Sequence, residues 1–319
     1  MKILRRLLAV LVICGVALWL LGPYEDATLT LEFDATALEG GVASYLSTQE
    51  ARFDDIVEGV QKRVIWAGAE ETRTEWAVLY IHGFSATSEE IRPVPDEVAK
   101  ALGANLVFTR LAGHGRGSAP MGEATVQAWM SDTAEAFAAA QAVGEKVLVI
   151  STSTGGTLVT AALAQGAEAT AAVFVSPNFG VNNPAAPLLT WPAVRYWLPP
   201  ILGRDYSFEA RSPEQAKYWT TAYPSVAVLP MAALVKAVNN LDLGAVATPA
   251  LFVYTREDQV VVPEATDAIV ARWGGATKVN HPTMGPMDDP FHHVIAGAIQ
   301  SPTQTEGTVA QIIDFIRGL

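Results

Sequence analysis

The sequence predicts an α/β protein built on a mainly parallel, doubly wound sheet and preceded by an apolar N-terminal helix. Three observations carry that prediction. Short runs rich in β-branched residues alternate along the chain with longer helical stretches, the order that gives parallel strands joined by crossover helices. The runs are apolar at almost every position, as in strands covered on both faces. Finally, Lys2, Arg5 and Arg6 stand directly ahead of Leu7–Gly22, sixteen residues without a charge.

Taken in order, that first run has the charged and apolar regions of an export signal. It approaches the ~20 residues that usually span a bilayer. It ends Leu20-Leu21-Gly22-Pro23 instead of in a small-residue cleavage site, so residues 1–23 read as an uncleaved signal anchor, with cleavage and secretion as the alternative. Cations on the N-terminal side place the rest of the chain on the non-cytoplasmic face. Thr28–Phe33 alternate like a strand, a polar stretch follows, and Arg63–Trp66 and Ala77–Ile81 read as strands. Further strands are expected at Leu106–Thr109, Lys146–Ile150, Ala172–Val175 and Ala250–Tyr254, with helices at Ala124–Val143, Thr157–Ala164 and Val309–Ile316. About seventy residues separate the strand ending at Ser176 from the one starting at Ala250, far more than a crossover requires. Residues 178–247 of that stretch hold nine of the 27 aromatics and eight prolines, which reads as an insertion of short helices. The rest, 24–319, reads as one domain.

Composition removes several classes of function. The 33 acidic against 21 basic residues offer no basic face for phosphates, so nucleic acid is not an expected partner. One cysteine permits neither an intramolecular disulfide nor a cysteine-ligated metal centre. No cofactor is expected, and oligomeric state is not legible.

The chemistry concentrates at Val147–Leu158, where a buried strand enters Ser151-Thr152-Ser153-Thr154-Gly155 and passes at once into a helix. A nucleophile elbow needs small residues two positions either side of the nucleophile, because the sharp turn crowds the backbone there. Ser153 holds the central position, with Ser151 where glycine is commonest. A serine nucleophile needs a base, and in one common chain order a carboxylate and then a histidine follow the serine. His293 is taken first for the base, His292 second and His281 third. The His292-His293 pair reads only weakly as a metal site, since no third ligand lies at helical spacing. Asp258 lies just beyond the strand Ala250–Tyr254, at the end where open α/β sheets gather their sites. Oxyanion donors are expected from the amide of Thr154, after the nucleophile, and from that of Phe84 in His82-Gly83-Phe84. His82 reads as a structural residue pinning that loop.

Together these residues resemble an α/β-hydrolase. His82-Gly83-Phe84 resembles the oxyanion loop, Gly113-His114-Gly115 the loop after the next strand, Ser153 the nucleophile, Asp258 the acid, and His293-Val294 the base. The resemblance runs from about Trp76 to the C-terminus and is closest to carboxylesterases and monoacylglycerol lipases. It implies hydrolysis of a lipophilic ester through an acyl-enzyme on Ser153, beneath a cap formed by the insertion. Trp191, Trp197 and Trp219 are the candidates there for substrate contact. Thioester hydrolysis or acyl transfer by the same triad, a catalytically silent membrane-tethered lipid-binding protein, and a metal hydrolase remain as alternatives.

Overall fold

The structure, a computed structural model, describes residues 2–319. The main sheet contains β1 (Arg63–Ile65), β2 (Thr74–Ile81), β3 (Asn105–Phe108), β4 (Gly144–Thr152), β5 (Ala171–Val175), β8 (Ala250–Val253) and β9 (Thr277–Asn280). Their order is β1-β3-β2-β4-β5-β8-β9; β1 is antiparallel to β3 and every other neighbour is parallel. The remaining strands, β6 (Asp205–Ser207) and β7 (Ala222–Pro224), form a separate antiparallel pair inside the insertion.

Successive side chains of a strand point to opposite faces, and β2 divides its residues accordingly. Ala77, Leu79 and Ile81 enter one core, where α5 (Val126–Val143), α6 (Thr154–Ala164) and α9 (Val228–Asn239) pack. Val78 and Tyr80 enter the other, covered by α3 (Val94–Leu102) and α11 (Thr305–Arg317). Each Val, Leu or Ile fully buried there contributes roughly 1.5–3 kcal/mol. The continuous apolar character of the central runs is the direct result of this two-sided cover. The first turn of α5 is capped by Thr125, whose hydroxyl accepts from the Ala128 amide at 3.1 Å.

An apolar helix, α1 (Lys2–Leu21), precedes the sheet and buries none of its residues. Its C-terminal end meets the insertion. Trp19 packs edge-on against Trp191 with centroids 5.8 Å apart. The Ala193 amide donates to Pro23 O at 2.6 Å, and Arg195 Nε pairs with Glu25 Oε2 at 3.1 Å.

Several local expectations are corrected. Residues 28–33 form no strand: Leu29, Leu31 and Phe33 pack against the core, but no ladder partner takes up their backbone, and the chain there is extended coil. The polar stretch after them contains α2 (Val42–Glu50). Strand β9 was not anticipated, because an edge strand reading Thr-Lys-Val-Asn is only partly covered. The segment following His293 is a series of turns and bends. Within the insertion, α7 (Val194–Leu202) and α8 (Pro213–Tyr218) are short helices as expected, whereas α9 packs on α6 as part of the main core. The two remaining helices are α4 (Ser118–Met121) and α10 (Pro263–Val270).

Candidate active site

Ser153 stands at the junction of β4 and α6 with φ of +50° and ψ of −119°, a conformation that costs a non-glycine residue of order 1–3 kcal/mol. The surroundings hold it there. Its amide donates to Val175 O at 3.0 Å, and its carbonyl accepts from the Gly156 and Asn178 amides, both at 2.9 Å. A Cβ on Gly155 would stand 2.2 Å from Ile81 O, so only glycine lets α6 approach β2 this closely. Ser151 is tolerated because its hydroxyl is satisfied by Val173 O at 3.1 Å.

His293 Nε2 lies 3.0 Å from Ser153 Oγ, and His293 Nδ1 lies 2.8 Å from Asp258 Oδ2. All three residues are buried. An Nδ1–H donating to the carboxylate leaves Nε2 free to accept the serine proton. The other oxygen of Asp258 accepts from the Val260 and Val261 amides at 2.8 and 2.9 Å, which fixes the carboxylate. Burial opposes charge on His293, yet Asp258, Glu90 and Asp289 together hold its pKa above the ordinary imidazole value.

The neighbouring His292 adopts φ of +54° and turns away, its Nδ1 3.1 Å from Glu257 Oε2. The adjacent pair therefore diverges and does not converge on one ligand position. His281 is also elsewhere, its Nδ1 donating to Tyr254 O at 2.8 Å. Leu111 N donates to His82 Nε2 at 3.2 Å, so Nδ1 carries the proton given to Gly83 O at 2.9 Å. Burial lowers the pKa of His82 well below the usual value and that of His114 to about 4; His82 is a neutral brace for the loop.

Phe84 and Thr154 flank Ser153 from two different elements. Among the described residues, neither amide donates a hydrogen bond within the protein. The Phe84 ring packs edge-on against Trp129, His114 and Tyr223, the last at 5.4 Å. The insertion touches this loop again where the Thr220 amide donates to Ser85 O at 2.7 Å. Trp219 is buried one residue away. The other two tryptophan candidates lie toward α1: Trp191 packs on Trp19, and Trp197 Nε1 donates to Pro192 O at 3.0 Å.

Three residues near the site were not singled out from the sequence. Tyr223, counted there only among the insertion's aromatics, is the one that reaches Phe84. Asp289 Oδ2 accepts from the His293 and Val294 amides at 3.0 and 2.9 Å, and its Oδ1 pairs with Arg211 at 2.8 Å. Glu90, 2% exposed, lies behind the Gly83 loop. Their partners are distant in sequence or are backbone amides, and neither leaves a motif.

Comparison with known proteins bears on the family and the fold. The family model for serine aminopeptidase, S33, a hydrolase family, matches residues 72–283. A thermostable monoacylglycerol lipase from Bacillus sp. (strain H-257) is 27% identical over 192 residues, which cover 60% of this chain and 74% of that protein. Among solved structures, one of the metagenome-derived lipolytic enzymes LipS and LipT superposes with a TM-score of 0.67 at 20% identity, covering 83% of this chain and 100% of the other. The monoacylglycerol lipase of Paleococcus ferrophilus gives 0.56 at 15% identity, covering 81% and 99%. The fold is that of the α/β-hydrolases, and the chain belongs to the serine aminopeptidase, S33, family of hydrolases.

Proposed function

We propose that this lipase/esterase-type hydrolase cleaves lipophilic carboxylic esters through an acyl-enzyme on Ser153. The observation that carries the reading is the continuous chain from Ser153 Oγ through His293 to Asp258, with contacts of 3.0 and 2.8 Å. In the first step His293 Nε2 takes the Ser153 proton while Oγ bonds to the ester carbonyl carbon. The carbonyl oxygen becomes an oxyanion facing the Phe84 and Thr154 amides. Asp258 keeps the imidazole in the required tautomer and offsets its positive charge. Collapse of the intermediate expels the alcohol, which receives the proton from Nε2. Water then repeats the sequence and releases the acid. Every group needed is supplied by the chain, so the scheme uses no cofactor.

The lipophilic substrate is inferred from the bacterial relative, whose name gives its activity as monoacylglycerol lipase, and from the aromatic insertion beside Phe84. The same reading takes residues 24–319 as one catalytic domain carrying its cap at about 178–247. It takes α1 as a membrane anchor, with the domain on the non-cytoplasmic side. This reading is supported by the contacts that Trp19, Pro23 and Glu25, at the end of α1, make with Trp191, Ala193 and Arg195 of the insertion.

Hydrolysis of p-nitrophenyl esters by the purified full chain, with acyl length varied from two to about sixteen carbons, tests this reading. Medium and long chains are expected to be preferred, and Ser153→Ala is expected to abolish both turnover and labelling by a fluorophosphonate. Labelling that persists in Ser153→Ala would overturn the nucleophile. Faster turnover of acyl-CoA than of any oxygen ester would favour a thioesterase built on the same triad.

A further inference from the structure

Glu90 is a buried carboxylate that the scheme above does not use. Its Oε2 accepts from the Gly83 amide at 2.7 Å and from the Tyr80 hydroxyl at 3.0 Å. Tyr80 Oη is in turn 3.0 Å from Thr152 Oγ1, one residue before Ser153. One oxygen thus ties together β2, the end of β4 and the loop that presents Phe84. The packing is close. A Cβ on Gly83 would lie 2.7 Å from Glu90 Oε1 and 3.0 Å from Ser153 Cβ, so the Gly83 backbone is held between carboxylate and nucleophile. Behind Glu90 the next residues meet the histidine segment: a Cβ on Gly297 would be 2.5 Å from Ile91 Cα, and the Ala298 amide donates to Arg92 O at 2.8 Å. The neighbouring Arg63 and Arg92 pair with Glu89 and not with Glu90. Burial lifts its pKa to about 7, with the Gly83 and Tyr80 hydrogen bonds and the charge of His293 acting in the opposite direction.

We propose that Glu90 is a positioning residue for the oxyanion site: by gripping the Gly83 amide it sets the Gly83–Phe84 peptide so that the Phe84 amide faces the reacting oxygen. The inference rests on the ester-hydrolase reading of Ser153. Its physical basis is that an oxyanion donor works only when already aimed at where charge develops, and small misplacements weaken it steeply. In the loop, His82, Gly83 and Ser85 are buried, and His82 Nδ1 and the Ala86 amide hold the Gly83 carbonyl, which leaves the Gly83 amide as the side still in need of a hold. A charge-assisted bond to a buried carboxylate supplies it.

The test compares Glu90→Gln with Glu90→Met in the full chain. Glutamine keeps an oxygen for the Gly83 amide; methionine has similar volume and no comparable acceptor. For p-nitrophenyl butyrate, kcat is expected to fall on the order of 100-fold in Glu90→Met, as for loss of one oxyanion donor. In Glu90→Gln it should stay within about tenfold of the parent, the scale of one altered hydrogen bond. KM should change little in both. The inhibition constant of a phenylboronic acid, which forms a tetrahedral adduct on serine, should weaken in parallel with kcat.

Folded Glu90→Met with kcat near that of the parent would overturn the inference, as would a loss of kcat with boronic acid affinity unchanged. If Glu90→Met does not fold, Glu90→Asp, one methylene short of the Gly83 amide, replaces it under the same criteria. Ser153→Ala run alongside separates the two levels. Activity remaining there removes the nucleophile and the inference with it, whereas an inactive Ser153→Ala beside an active Glu90→Met removes the inference alone.

Discussion

The position where a Cβ of Gly155 would be lies 2.2 Å from the carbonyl oxygen of Ile81. That single distance fixes how near α6 comes to β2, and with it where Ser153 stands relative to the loop after Ile81. Gly155→Ala must push helix and strand apart in a fully packed region. A destabilisation of about 3 kcal/mol or more is expected, at the upper end for overpacking, and urea unfolding would measure it. Gly307, in α11, has nothing within 4 Å of its missing Cβ. Gly307→Ala should stabilise the protein by up to ~1 kcal/mol through helix propensity.

The raised pKa of His293 has a kinetic consequence. The proposed base works as neutral imidazole, and a raised pKa keeps the imidazolium populated to higher pH. The acid limb of kcat/KM should therefore fall above the ordinary value of 6.5. In Asp258→Asn the largest supporting charge is gone, so any residual activity should show its acid limb displaced to lower pH. A pH–rate profile of both forms checks the direction.

Glu90 predicts the opposite trend in stability. Its carboxyl has an ordinary value of 4.5 when solvated and about 7 in the folded chain. Between those values the folded state binds more protons than the unfolded state, so this group's contribution falls as pH rises from about 4.5 to about 7 and is level above that. Glu90→Gln removes the titration. It should flatten that part of the profile and raise Tm at pH 8, measured by thermal unfolding across pH.

Asp289 holds the His293 turn by accepting hydrogen bonds from the His293 and Val294 amides on one oxygen. Asp289→Ala leaves both buried amides without that acceptor, at a cost of about 1–3 kcal/mol for each orphaned group. Both Tm and kcat should fall. Asp289→Asn, which keeps the oxygen, should recover most of the loss in Tm.

Removing residues 2–21 is expected to shift the protein from the membrane to the soluble fraction while preserving turnover of short water-soluble esters. The Glu25–Arg195 pair and the Ala193–Pro23 bond lie outside the deleted span, so the cap should keep its seat. Fractionation and a short-ester assay measure the two outcomes. A deleted chain that still sediments with membranes would remove α1 as the anchor.

By itself the sequence determined the elements whose physics is local. Strands β2, β4, β5 and β8 were legible because burial on both faces makes them apolar throughout, and α5 and α6 because they are long or follow a strand directly. The turn around Ser153 was legible for the same reason: strand, small residues and helix lie within twelve consecutive positions. Residues 28–33 misled because alternation marks one covered face and says nothing of a hydrogen-bonding neighbour, while β9 escaped because an edge strand is only half covered. Tertiary structure decided what depends on long loops closing. It brought His293 rather than His292 to Ser153, through a left-handed backbone at His292. It also set Glu90 and Asp289 behind the site and moved α9 from the insertion into the core. Hydrophobic periodicity reports burial along a single element, whereas a buried carboxylate gripping an amide is specified only once two loops meet in space.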